Sequence, residues 1–214
     1  VSPFRILLGG CLVALATILL GMFALVMAPK AHAAEIPPTA HKYRADLTRS
    51  ARLSWGMDAP IATFAAQVHQ ESGWNAQAVS RVGAQGLAQF MPATADWIGG
   101  INPELAQRQP DNPTWALRAL TAYDRWLWDR IKSDTDCDRM AMVLSSYNGG
   151  LGWLIRDKEK TQVSGGHRNR WWGQVEQFNA GRSHEAFAEN RGYPTRIIKV
   201  IQPAYAGWGQ GVCA

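Results

Sequence analysis

The clearest hydrophobic rhythm in the chain runs through residues 61–71. Ile61, Phe64, Ala65 and Val68 recur at i, i+3, i+4 and i+7, one face of a helix. Asp58 and Pro60 offer a start and Gly73 a stop. Upstream, Tyr43, Leu47, Ala51 and Trp55 fall on one side of a helix that Thr39 can cap and Gly56 ends. Downstream, residues 93–98 form a short helix before Gly99-Gly100, and 101–113, with three prolines, reads as loop. Asn112 then acts as cap and Pro113 as first position of a helix running to about 131. Its inner side carries Ala116, Leu120, Tyr123, Leu127 and Ile131. Trp126 and Trp128 fall on other faces, so this helix is expected to be buried on more than one side. A further helix opens at Cys137, with Met140, Val143, Leu144 and Tyr147 in step. Residues 151–160 read as helix, 161–181 carry no clear period, and Ser183 caps a helix through Ala188. Pro194 and Thr195 are expected to start a last helix through Ile197, Ile198 and Ile201. The expected class is mainly α, without repeats or coiled-coil heptads.

The N-terminal pattern is different. Residues 6–28 are apolar throughout, after a basic start at Arg5, and Ala31-His32-Ala33 fits a small-x-small cleavage site. Residues 1–33 are therefore expected to be a signal peptide, removed to leave Ala34 first. The alternative is an uncleaved anchor, because a run of about 23 apolar residues can span a bilayer. Leu8-Gly9-Gly10-Cys11 resembles a lipoprotein signal only weakly, since the long apolar run follows the cysteine. Residues 34–41, with Pro37-Pro38, read as a linker, and 42–214 as one folded domain. Such a chain is exported to the periplasm or cell envelope, and touches a membrane only through residues 1–33 if they remain.

Composition adds little except through charge and aromatics. Of 22 basic residues, Arg5 and Lys30 lie in the leader, which leaves 20 against 17 acids. That mild positive balance suits an anionic polymer and does not argue for nucleic acid. Ten tryptophans are many for this length, and core is the better default for most. His167-Arg168-Asn169-Arg170-Trp171-Trp172 is either a stacking segment or a solvated loop over two buried rings.

The candidate chemistry lies in residues 71–92, ESGWNAQAVSRVGAQGLAQFMP. Its single acid, Glu71, ends the 61–71 helix, where partial burial raises a carboxyl pKa and lets it donate a proton near neutral pH. Taken alone, an acid at a helix end is more simply solvated. Four ordered segments change that. Glu71-Ser72, Gly86-Leu87-Ala88-Gln89-Phe90-Met91-Pro92, Ser146-Tyr147-Asn148 and Glu189-Asn190-Arg191-Gly192-Tyr193 together resemble the motifs of the soluble lytic transglycosylase family. The resemblance covers residues 60–206. It implies a lysozyme-like, goose-type helical domain with a central catalytic cleft, acting on peptidoglycan. It implies that Glu71 is both acid and base, and that Tyr193 hydrogen-bonds it. It further implies that Ser72, Gln89, Tyr147 and Asn148 orient N-acetylated sugars, Phe90 and Met91 line an apolar wall, and Gly86 offers backbone groups. Ser146 replaces the family's alanine. Trp74 stands where phenylalanine is common and preserves an aromatic wall; Ala88 replaces a methionine and widens the cleft. Glu189 and Arg191 are expected to pair as a structural ion bridge. No cofactor or metal is expected: there is no His-Glu-x-x-His, no Pro-Cys-x-x-Cys after His69-Gln70-Glu71, and no Gly-x-Ser-x-Gly.

Two rivals stay open. A muramidase on the same scaffold would use water, with Asp58, Asp96 or Asp111 positioning it. A non-catalytic glycan-binding subunit of an envelope-spanning secretion or conjugation machine would keep the cleft alone. Cys137 and Cys213 follow the leader, and in an oxidising compartment a bond between them would tie the tail to a helix start. Two free thiols is the alternative, since spacing does not show proximity.

Overall fold

The computed structural model describes residues 34–213; the leader expected over 1–33 lies outside them. Seven α-helices follow in order: α1 (Arg44–Trp55), α2 (Ile61–Ser72), α3 (Pro92–Ile101), α4 (Pro113–Arg130), α5 (Asp136–Gly149), α6 (Leu151–Val163) and α7 (His184–Thr195). There is no sheet among the described residues, only isolated bridges from Gln85 to Val79 and to Phe90. The helical class expected from the periodicity holds.

At the centre is α2. Every residue from Ile61 to Val68 is buried, so the one-faced pattern understates its position. Alanines at 62, 65 and 66 let neighbours approach closely, and the buried Thr63 hydroxyl finds partners. Thr63 donates to the Gln202 side chain at 2.6 Å and accepts from the Val212 N–H at 3.0 Å. Gln202 in turn donates to the Val212 carbonyl at 2.8 Å, and the Ala62 N–H reaches the Gln210 carbonyl at 3.0 Å. The C-terminal stretch is thereby laid along α2. Gly73 stops the helix in a left-handed conformation, φ 58°, with its N–H on the His69 carbonyl.

Local signals located most helix ends. Asn112 caps α4 by accepting from the N–H groups of Thr114 and Trp115 at 3.0 and 3.3 Å, and Ser183 caps α7 from the Ala186 N–H at 3.2 Å. Thr39 does not cap: it sits inside a 3-10 turn, Pro38–Tyr43, whose Ala40 and Tyr43 are buried. Pro194 does not start a helix either. It lies inside α7, and the backbone beyond it widens into a π turn, Arg196–Ile201. A proline lacks the N–H and crowds the carbonyl four residues back, which favours such a widening. In the 167–172 segment Trp171 is fully buried, its backbone N–H on the Asp138 carboxylate at 2.8 Å, and the Lys199 ammonium lies 3.9 Å from the Trp172 ring centroid. These rings are packing elements.

A buried ion cluster holds α7 in place. Asp157 of α6 is fully buried and bonds the guanidinium of Arg182 and, at 2.7 Å, that of Arg191. Its other oxygen accepts the Ala180 N–H at 2.9 Å. Arg191 also donates to the carbonyls of Glu176 and Phe178 at 2.9 and 2.8 Å. The expected Glu189–Arg191 pair is not formed, because residues two apart on a helix point away from each other. Glu189 bonds Asn148 instead, at 3.3 Å.

Cys137, at the start of α5, and Cys213 are joined in a disulfide, with Cα atoms 4.8 Å apart. The link should stabilise by about 2–4 kcal/mol. Intact mass after thiol alkylation without reductant should show neither of these cysteines modified; two added alkyl groups on them would refute the bond.

Candidate active site

Glu71 occupies the last turn of α2, partly buried, and its carboxylate accepts a hydrogen bond from the Tyr193 phenol of α7. Burial pushes the Glu71 pKa from 4.5 up to about 7. The Tyr193 hydrogen bond pulls it down, and the like charge of Glu189 pushes it up. Near neutral pH the group is thus divided between acid and base forms. The phenols of Tyr147 and Tyr193 are pushed well up by burial and then by the Glu71 charge, so both remain donors.

The loop after α2 is fixed from both sides. Ser72 donates to the Leu87 carbonyl at 2.9 Å, and Tyr147, from α5, to the Ala88 carbonyl at 2.6 Å. Gln89 has φ 47° and turns its amide N–H groups back onto the carbonyls of Ala78 and Gly86, at 3.1 and 3.0 Å. Of its two functions, the acceptor is the one left for a ligand. Gly86 has φ 74°, and a Cβ there would lie 1.8 Å from the Pro110 carbonyl oxygen. Its N–H is on the Ala78 carbonyl at 2.9 Å. The glycine is demanded by that close approach, and its donor is already used within the loop.

The remaining expected residues separate by exposure. Met91 is 41% exposed, while Phe90 is 2% exposed, packed against Trp115, Tyr123 and Tyr147. Phe90 therefore backs the wall without facing a ligand. Trp74 and Ala88, expected to shape the cleft, are core: Trp74 donates to the Tyr205 phenol at 2.6 Å, and Ala88 is fully buried. Asn148 is exposed, oriented by the buried Asn190 at 2.9 Å and donating to Glu189. Ser72, Tyr147 and Gln89 are thus tied to the 86–91 loop, Tyr193 to Glu71, and Asn148 to Glu189, whose charge raises the Glu71 pKa. Among the described residues no group of three His, Cys, Asp or Glu side chains could hold a metal. A separate surface cavity of about 610 Å³, lined by Leu53, Asn102, Leu105, Arg118 and Arg125, contains none of these residues.

Two acids were missed. Asp124 of α4 is fully buried, accepts only a long 3.5 Å bond from Gln67, and is pushed well up by burial. Tyr147 and Tyr193 both feel its charge. The available signal was an acid directly beside Tyr123 on the inner side of an apolar helix. Glu189 was assigned to an ion pair, which drew attention away from its closeness to Glu71.

Removing the Tyr193 hydroxyl should raise the Glu71 pKa further. For Tyr193→Phe, the alkaline limb of any Glu71-dependent activity should move to higher pH. A pH profile of kcat/KM measures this, and an unmoved limb would show that the bond does not tune the acid.

The sequence profile of the transglycosylase SLT domain family matches residues 47–169. The chain is similar to membrane-bound lytic murein transglycosylase F of Pasteurella multocida, 30% identical over 138 residues, 63% of this chain and 24% of that protein. The protein of that name from Alteromonas mediterranea is 34% identical over 110 residues, 50% of this chain and 22% of its own length. That of Haemophilus influenzae (strain PittGG) is 27% identical over 160 residues, 74% and 28% of the two chains. The chain thus spans about a quarter of the length of these relatives. Tyr193 lies beyond the stretch matched by the family profile, yet it contacts Glu71.

Proposed function

The chain belongs to the transglycosylase SLT domain family, and on that premise we propose that it cuts peptidoglycan as a lytic transglycosylase. The bond broken is the β-1,4 link between N-acetylmuramic acid and N-acetylglucosamine, and the product carries a 1,6-anhydromuramic end. The observation that carries this reading is Glu71, a carboxyl held near pKa 7 by burial and hydrogen-bonded by Tyr193 rather than by a second acid.

One carboxyl then serves twice. Protonated Glu71 gives its proton to the glycosidic oxygen as the bond from the muramic C1 breaks. The substrate's own N-acetyl oxygen stabilises the electron-poor carbon, in line with substrate-assisted glycosidases. The Glu71 carboxylate then takes the proton of the 6-hydroxyl as that oxygen closes on C1, which returns Glu71 to its acid form. Tyr193 fixes the carboxyl's orientation. Ser72 and Tyr147 act by fixing the 86–91 loop through the carbonyls of Leu87 and Ala88. Gln89 offers an acceptor and Asn148 an exposed amide to the N-acetyl groups, with Met91 as the apolar edge. The setting we infer is the cell envelope, where the substrate lies; the relatives are named as membrane-bound, and among the described residues no helix is long and apolar enough to cross a membrane.

Digestion of purified peptidoglycan in ¹⁸O-water tests the chemistry. Anhydro ends without label are expected. Labelled, free reducing ends would replace this reading with a muramidase. Asp96 is paired with Arg108, so Glu189, close enough to shift Glu71, would then be the carboxylate best placed to hold the water.

A further inference from the structure

Ten tryptophans are present, and the one exposed among the described residues is Trp97 of α3, 38% accessible. It packs into a run of aromatic rings that reaches Tyr147, whose phenol bonds the Ala88 carbonyl of the 86–91 loop. Tyr147, whose phenol feels the Glu71 charge, has its ring centroid 5.4 Å from that of Tyr123. Tyr123 is 5.6 Å from Trp97, and Trp97 meets Trp126 edge to face at 4.8 Å. The Arg130 guanidinium lies over the Trp126 ring at 3.8 Å, so that ring is already occupied. Trp97 is left partly open to solvent, held by two aromatic neighbours.

We propose that Trp97 is a stacking platform for an N-acetylhexosamine ring of the glycan strand, beyond the sugars held at Glu71. The proposal rests on the reading above and adds a residue that makes the enzyme sense strand length. Three arguments favour a sugar. The electron-rich face of an indole attracts the polarised C–H face of a pyranose, while the sugar's rim hydroxyls stay hydrated. The edge-to-face contacts with Tyr123 and Trp126 fix the ring before a ligand arrives, so little side-chain freedom is lost on binding. The other large exposed apolar side chain on α3 is Ile101, Met91 lies just before the helix, and Asp96 of α3 is paired with Arg108. That patch is small against the roughly 800 Å² per partner of a stable protein interface.

The test is calorimetric titration of the full-length chain with β-1,4-linked N-acetylglucosamine oligomers, from disaccharide to hexasaccharide. Trp97→Ala should weaken the longest oligomer by about tenfold and leave the disaccharide unchanged, and Trp97→Tyr should recover most of the loss. Thermal melts of the variants serve as the fold control. Equal binding of long oligomers by parent and Trp97→Ala would overturn the platform, and so would equal weakening at every length, which is a structural effect. Either result leaves the enzymatic reading standing if the parent still forms anhydro ends. A parent that neither binds oligomers nor cleaves peptidoglycan would remove that reading and the platform with it.

Discussion

Glu71→Gln should fold as the parent does and lose about 10²–10⁴-fold, or more, of its glycan-cleaving activity. Glutamine keeps the size and still accepts the Tyr193 hydrogen bond, but it can neither give a proton to a glycosidic oxygen nor take one from a hydroxyl. Release of soluble fragments from purified peptidoglycan measures the loss. Undiminished cleavage would remove Glu71 from the mechanism. The substitution has a second consequence, in stability. The folded-state pKa of Glu71 is raised from 4.5 to about 7, so the folded protein holds a proton there that the unfolded chain releases between those values. The stability contributed by that bound proton is present in full below about pH 4.5 and is lost as pH rises through 7. Glu71→Gln carries no such proton. Relative to the parent it should therefore gain stability between pH 5 and 8, by an amount of order 1–3 kcal/mol. Denaturant melts of both proteins at the two ends of that window decide it, and parallel curves would mean that Glu71 is solvated. The same titration predicts that the parent's kcat/KM falls above about pH 7, where the acid form needed for the first step disappears.

Asp157→Ala should cost about 3–5 kcal/mol, the largest stability loss expected of a single substitution away from the site. The side chains of Arg182 and Arg191 are 4% and 10% exposed and both bond one Asp157 oxygen. Removing that carboxylate leaves two buried cations facing each other without compensation. Their attachments go with it: the Ala180 N–H loses its acceptor, and Arg191 loses the anchor that holds it over the Glu176 and Phe178 carbonyls. For a chain of this size the melting temperature should drop by roughly 10 °C. Activity should fall with it, since α7 presents Tyr193 and Glu189 to Glu71. A loss under about 1 kcal/mol would show that the cluster is solvated in solution.

The helices were legible because their signals are local. Asn112 and Ser183 announce the starts of α4 and α7, Gly73 ends α2, and the spacing of Ile61, Phe64, Ala65 and Val68 marks a helix without reference to any other segment. The placement of Glu71 at the end of that helix, and the ordered motifs that follow it, could likewise be read directly. Partners distant in the chain could not. Nothing near position 191 distinguishes Glu189 from Asp157 as its counter-ion; only the packing of α6 against the 176–182 segment brings Asp157 within reach. Phe90 and Met91 are neighbours in sequence and similar in hydrophobicity, yet one is core and the other surface, because the backbone there is extended and successive side chains point to opposite sides. Asp124 sits on the inner side of its helix in sequence, but its full burial and its contact with Gln67 of α2 exist only in the packed structure. The sequence by itself determined where most of the helices lie and which acid carries the motif. The tertiary structure alone decided how that acid is tuned, because burial and contact with Tyr193, 122 positions away, set its proton affinity. Those quantities exist only once the chain has excluded water from the space around it.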